Sequence, residues 1–278
     1  MMSKNLDSKH EKNQLLLPDA HIITKTWSHL TDIIPKTNAN NPWSHKIEKI
    51  FWRGGTTGSA SEYQYNISNF DKLDRIKLVM MSKIYPNLID AEFTRYTSFS
   101  QDKDGNNLHY ILKELFPNNT AIVKEEDHLK YKYLISLDGN TCAWVRVPWI
   151  MLSNSVLVKQ ESRKIEWFYS SLTPYIHYVP LKNDLTDIFE KIEWMENNDT
   201  TLQEISINAQ NFIKNELMPK NIDAHMSIIL NKYATIQKDK KIHITLDPAE
   251  EAISMFSLLK ILIYKLSDQF IFWIKSWL

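Results

Sequence analysis

From Lys49 onward the chain alternates short apolar runs with amphipathic stretches. Lys49-Ile50-Phe51-Trp52 predicts a strand that runs into Gly54-Gly55. Residues 69 to 84 predict a helix, with Leu73, Ile76, Met80 and Ile84 along one apolar face. Residues 131 to 137 predict a second strand, stopped by the Asp138-Gly139 turn. Residues 155 to 158 and 177 to 181 predict two more strands, which would make His177 a packed strand residue. Three helices follow in succession, over residues 185 to 196, 201 to 217 and 223 to 235. Strands separated by helices predict an α/β fold, a Rossmann-like parallel sheet with flanking helices. Ligands in such folds bind at the carboxyl ends of the strands. The turns after Trp52 and Leu137 both fall there.

The ends of the chain follow a different pattern. Residues 1 to 14 are polar and charged and read as a disordered leader. Pro35, Asn38, Asn40, Asn41 and Pro42 read as a linker. The expected organisation is residues 1–44 as leader, connecting helix and linker, 45–236 as the α/β domain, and 237–278 as a helical tail. The tail opens with a strong helix start, Asp247-Pro248-Ala249-Glu250. Met255, Leu259, Leu262, Leu266, Phe270, Trp273 and Trp277 then form one stripe at helical spacing. That stripe suits either a helix packed on the domain or an amphipathic helix lying in a membrane surface.

Composition narrows the chemistry mainly by exclusion. Lys plus Arg and Asp plus Glu balance at 33 each, so no global field favours nucleic acid or anionic lipid. Cys142 is the only cysteine, which excludes a disulfide framework and a thiolate metal site and points to a reducing compartment. The nine histidines show no HxxH or HExxH spacing, so no metal site is expected. Asp102-Lys103-Asp104 is followed by Gly105-Asn106-Asn107 and reads as a solvated turn. The N-terminal stretch shows no apolar core of a secretory signal.

Three segments are candidates for chemistry. Phe51-Trp52-Arg53-Gly54-Gly55-Thr56-Thr57-Gly58 delivers an arginine and a small-residue turn from a strand end. Such a turn fits phosphate oxygens, with Arg53 and Arg75 supplying positive charge, and it fits an ordinary loop equally. Lys130 to Gly139 followed by Trp144-Val145-Arg146 places an aromatic and a cation just past a second strand end. Glu166-Trp167-Phe168-Tyr169 and residues 174 to 181 form an aromatic, proline-punctuated run that suits a core.

Taken in order, these blocks resemble the Rumi-type protein O-glucosyltransferases and the related bacterial lipopolysaccharide-modifying glycosyltransferases. The matching pieces are Phe51-Trp52-Arg53-Gly54, the block from Pro86 to Thr94, and Lys130-Tyr131-Lys132-Tyr133-Leu134. Asp138-Gly139, Arg146 and the run from Glu166 to Asp184 complete the resemblance. It implies the C-terminal, donor-binding half of a two-domain GT-B glycosyltransferase, a UDP-sugar donor, and inversion at the anomeric carbon without a metal or other cofactor. It places the UDP-sugar against Gly55, Arg75 and the stretch Thr141, Cys142, Ala143, Trp144, Val145 and Arg146. Arg53, Gly54 and Thr57 are expected beside them. Gly55 stands where the animal enzymes carry serine, and one extra residue separates Gly139 from Arg146.

The catalytic aspartate of that family lies well upstream of the Phe-Arg-Gly strand, and no position here receives it. Two functions are therefore expected, beside a third reading as a membrane-surface adaptor acting through residues 254–278. One is transfer of a sugar to an envelope glycan such as lipopolysaccharide, on the cytoplasmic side of a bacterial inner membrane, with residues 254–278 as a possible surface contact. The other is a non-catalytic remnant or subunit that works with a separate N-terminal half. No nucleic-acid partner is expected.

Overall fold

A computed structural model describes residues 4–5, 16–19, 21–23, 25–58, 69–96, 108–117 and 123–236. The tail stripe and the Asp102–Asp104 turn lie outside these residues. One compact unit comprises Met1–Asn231, and Lys232–Leu278 forms a second. Among the described residues, no helix is long and apolar enough to cross a membrane.

Strands β2 (Ile47–Gly55), β3 (Ile89–Arg95), β4 (Tyr131–Ser136), β5 (Val156–Glu161) and β7 (Val179–Lys182) form one sheet in the order β3-β2-β4-β5-β7. All four pairings are parallel. The expected Rossmann-like sheet with flanking helices is therefore the architecture observed. β4 and β5 are buried along nearly their whole length, as strands covered on both faces must be. One face packs Ile50, Trp52, Tyr133, Ile135 and Val158 against α2 (Asp74–Ile84) and α6 (Ile188–Glu196). The other packs Phe51, Leu134 and Leu157 against α1 (Lys25–Asn40) and α5 (Arg146–Leu152). Helix α7 (Asp199–Glu216) contributes Leu202 and Ile205 to the first core and Ala209 and Ile213 to the second. Helices α3 (Leu108–Leu115), α4 (Glu125–His128) and α8 (Pro219–Ile236) complete the set.

The structure corrects several expectations. Helix α1 runs through Pro35, where a linker was expected. Trp27, Leu30 and Ile34 are buried along it, and the Trp27 indole N–H donates to the Leu217 carbonyl at 2.7 Å. Asn38 accepts from the Asn154 amide, so this asparagine docks the helix end. Burial outweighs the local breaker signals. In α2 the buried residues are Ile76, Leu78 and Val79, while Met80 and Ile84 are exposed. The helix lies at the sheet edge, where Ser82 faces β3 and bonds Ile89 and Ala91. β3 was not expected as a strand, because Asp90 and Glu92 weaken its β-propensity. Its burial nevertheless alternates cleanly through Ile89, Ala91 and Phe93. His177 precedes β7 and is half-buried, with its Nδ1 accepting from the Thr173 amide. In the leader, β1 (Lys4–Asn5) pairs antiparallel with β6 (Lys164–Ile165).

Candidate functional site at the strand order reversal

The chain enters the sheet at β2, adds β3 on one side, then crosses to β4 on the other. The strand order thus reverses between β2 and β4, and a crevice opens outside their carboxyl ends at such a point. Gly54 and Gly55 close β2 there, and Leu137, Asp138 and Gly139 follow β4. A Cβ on Gly54 would lie 2.5 Å from the Trp52 indole. Glycine therefore lets that ring lie against the strand end, and the Arg75 guanidinium rests over it at 5.5 Å.

Arg75 bridges the ends of β2 and β4. Its Nη1 donates to the Gly55 carbonyl and the Thr57 hydroxyl, its Nη2 to the Leu137 carbonyl, and its Nε to the Asp138 carbonyl. All four acceptors are uncharged. Arg146, at the start of α5, donates from Nη2 to the Arg53 carbonyl at 2.7 Å. Among the described residues, neither Arg75 nor Arg146 makes an ion pair. Burial, then the neighbouring Arg146, lowers the Arg75 guanidinium to about 9, and burial lowers Arg146 to about 10. Both shifts have the sign expected of buried cations, and Asp138 near Arg75 and Glu125 near Arg146 act in the opposite sense.

Arg53 is arranged differently. Its side chain turns back along the sheet over Phe51 and pairs with Asp90 at 2.7 Å. Asp90 also accepts from the Tyr131 hydroxyl at 2.6 Å. The charge of Arg53 is thus balanced within the fold. Beneath it, burial, followed by Arg146 and Arg53, pushes His128 down to about 3, so this imidazole is neutral.

The segment Asp138–Arg146 follows β4 at this end of the sheet and leads into α5. Gly139 has no room for a side chain: a Cβ would lie 2.8 Å from Thr57 Oγ1 and 2.9 Å from Arg75 Nη2. Thr141 is exposed, and its carbonyl accepts from the Gly139 amide at 3.0 Å. Cys142 is buried, and its thiol is pushed up by burial and kept neutral. Ala143 accepts from the Arg146 amide as α5 begins, and Val145 caps that helix. Trp144 has φ 44°, a left-handed conformation costly for a bulky residue. Its ring stacks on His21 at 4.2 Å. The expected residues thus lie near one end of the sheet, with the Arg53 side chain paired to Asp90 and the Cys142 thiol buried. Among the described residues, no cluster of His, Cys, Asp or Glu fit to hold a metal occurs.

Two charged residues of this region escaped the sequence reading. Arg95, at the end of β3, is exposed and adds a third positive charge beside Arg75. Glu166 appears in sequence only as part of an aromatic run. In the fold its carboxyl is buried, and among the described residues neither oxygen has a nitrogen or hydroxyl donor. The Cys142 thiol, a weak donor, is directed at it. Burial, then Asp19 and Asp138, pushes Glu166 up to about 9. No local pattern marks such a residue.

A parallel α/β sheet with arginines gathered at its strand reversal defines a Rossmann-like domain. Residues 18–245 match the model of glycosyl transferase family 90, and the chain belongs to that family. It is 34% identical over 203 residues to protein O-glucosyltransferase 3 of Mus musculus, an alignment covering 73% of this chain and 35% of that protein. Against human protein O-glucosyltransferase 1 the identity is 27% over 208 residues, covering 75% of this chain and 47% of the relative. The chain therefore spans between about a third and a half of the length of these relatives. Among solved structures, it resembles Anabaena HepE in complex with UDP and glucose at 11% identity and a TM-score of 0.43, over 72% of this chain and 52% of that one.

Proposed function

We propose that the crevice binds the diphosphate of a UDP-sugar and that the chain serves sugar transfer to an acceptor hydroxyl. The observation that carries this reading is the pair Arg75 and Arg146. Two partly buried guanidiniums lie at the strand reversal, and among the described residues only uncharged acceptors receive their hydrogen bonds. A diphosphate supplies the missing negative charge and accepts charge-assisted bonds. In transfer, the acceptor oxygen bonds to C1 of the sugar as the bond from C1 to the diphosphate oxygen breaks. The hydroxyl proton goes to a general base, and the two cations stabilise the charge that develops on departing UDP. This arrangement corresponds to the donor half of a GT-B transferase, and attack opposite the leaving group inverts the anomeric centre. Arg53, paired with Asp90, supports the turn through the fold.

The acceptor we infer from the sequence resemblance is an envelope glycan such as lipopolysaccharide, reached at the cytoplasmic face of an inner membrane through residues 254–278. The names of the curated relatives favour a second reading, a hydroxyl of a protein. The test is release of UDP from labelled UDP-sugars by the purified chain, with lipopolysaccharide or a folded protein domain as acceptor. Acceptor-dependent release identifies a transferase and its acceptor class. UDP binding without release under any acceptor identifies a donor-binding chain whose base lies on another polypeptide.

A smaller perturbation probes the same crevice. Gly139→Ala pushes a methyl group against Arg75 and Thr57. It is expected to weaken UDP binding by about 1 kcal/mol, the scale of one displaced hydrogen bond. Calorimetry at matched protein stability checks this, and unchanged affinity counts against Arg75 as a ligand.

A further inference from the structure

One buried amide ties together the two elements that place the Arg75 guanidinium. Gln160 lies near the end of β5 and is 4% exposed. Its Oε1 accepts from the Asp138 amide at 3.0 Å. Its Nε2 donates to Asp74 Oδ2 at 2.8 Å and to the Asn183 carbonyl at 2.7 Å, with Asn183 Oδ1 at 3.2 Å. The partners fix which end of the amide is which, since one side offers a backbone N–H and the other a carboxylate and a carbonyl. Both of its N–H groups and its carbonyl are thus in use.

These contacts begin where the backbone ladder ends. The pairing of β4 with β5 stops at Ser136 and Lys159, so Asp138 lies beyond it, and the Gln160 side chain takes up the Asp138 amide. The Asp138 carbonyl in turn accepts from Arg75 Nε. Asp74 directly precedes Arg75 in the first turn of α2. Gln160 therefore grips both the loop that receives the guanidinium and the helix end that carries it. Glutamate at this position would set a carboxylate against that of Asp74 and leave the Asn183 carbonyl without its donor. An aliphatic side chain would strip all three partners of a buried hydrogen bond.

Resting on the donor reading above, we propose that Gln160 is a positioning residue for the UDP-sugar, fixing the aim of Arg75 at the diphosphate and acting through Arg75 rather than on the ligand. A guanidinium held only by uncharged acceptors stands wherever those acceptors stand. Hydrogen bonds weaken steeply once their alignment is lost, so a shift of either element costs the diphosphate its fork of donors.

The test is calorimetric binding of UDP to the wild type, Arg75→Ala, Gln160→Glu and the double variant that joins Asp74→Asn to Gln160→Glu, beside their urea midpoints. Gln160→Glu is expected to weaken UDP binding about tenfold, the equivalent of one good hydrogen bond. The double variant exchanges amide and carboxylate across the same contact, and its affinity is expected to return to within about threefold of the wild type. A merely structural role would lower the urea midpoint and leave the affinity of the folded protein unchanged. The proposal is overturned if Gln160→Glu binds UDP like the wild type, or if the double variant stays as weak as the single one. Should Gln160→Glu fail to fold, Gln160→Met removes the same bonds without adding charge. A loss of about tenfold there supports the proposal, and wild-type affinity overturns it. A wild type that binds no UDP, or that loses nothing in Arg75→Ala, overturns the donor reading as well. Arg75-dependent binding that Gln160→Glu leaves untouched overturns only the role of Gln160.

Discussion

Arg146→Ala is expected to weaken UDP binding by about 1.5–3 kcal/mol, roughly 10- to 150-fold, the scale of a charged hydrogen bond. The single internal bond of this guanidinium among the described residues, to the Arg53 carbonyl, makes it the cleaner of the two arginine tests. Arg75→Ala should cost at least as much affinity. It also orphans the carbonyls of Gly55, Leu137 and Asp138, so protein stability falls with it. Arg75→Lys separates the two effects, since it restores a charge but not the fork that spans both strand ends. Affinity should recover only in part, and inorganic pyrophosphate should follow the same order. Wild-type UDP affinity in both alanine variants would remove the basis of the site.

The second large effect concerns stability and pH. The Glu166 carboxyl is held near 9 in the folded chain, against an ordinary value of 4.5. Because the folded value is the higher one, the stability it contributes is complete below about pH 4.5. It is then lost progressively as pH rises toward 9, since the unfolded chain ionises freely while the native one resists. Glu166→Gln removes this liability while keeping the shape. Urea midpoints of the two proteins should nearly coincide at pH 4, and at pH 8 the variant should be more stable by on the order of a few kcal/mol. Asp19 and Asp138 are raised in the same direction. The comparison between variant and wild type isolates Glu166 from them. Parallel pH profiles would show that its carboxyl is not buried in the folded chain.

The legible part of the fold was the part in which local pattern and global burial agree. β4 and β5 are covered on both faces, and each carries a short apolar run, Tyr133–Ile135 and Val156–Val158. α6 and α7 carry periodic faces that survive in the fold. β3 escaped because Asp90 and Glu92 weaken its local pattern, and the pairing of Asp90 with Tyr131 and Arg53 forms only in the assembled sheet. Helix α1 escaped because Pro35 and three asparagines outweigh Trp27, Leu30 and Ile34 in any local count. In the site, Arg75 and Arg146 were named through resemblance, and the reason they meet is topological. Arg75 bonds Leu137 across 62 residues of chain, and only the reversal of strand order brings these ends together. Glu166 belongs to the same class of residue. Its sequence neighbours are aromatic, and its significance lies in the donors it lacks.

Arg75 and Arg146 are expected to hold a diphosphate at the reversal between β2 and β4. The most direct test is a crystal structure of the chain with UDP. The phosphates are expected between the two guanidiniums, within hydrogen-bonding distance of both and beside Gly139. Phosphates bound elsewhere, with Arg75 still held by its carbonyls and Arg146 by Arg53, would contradict it.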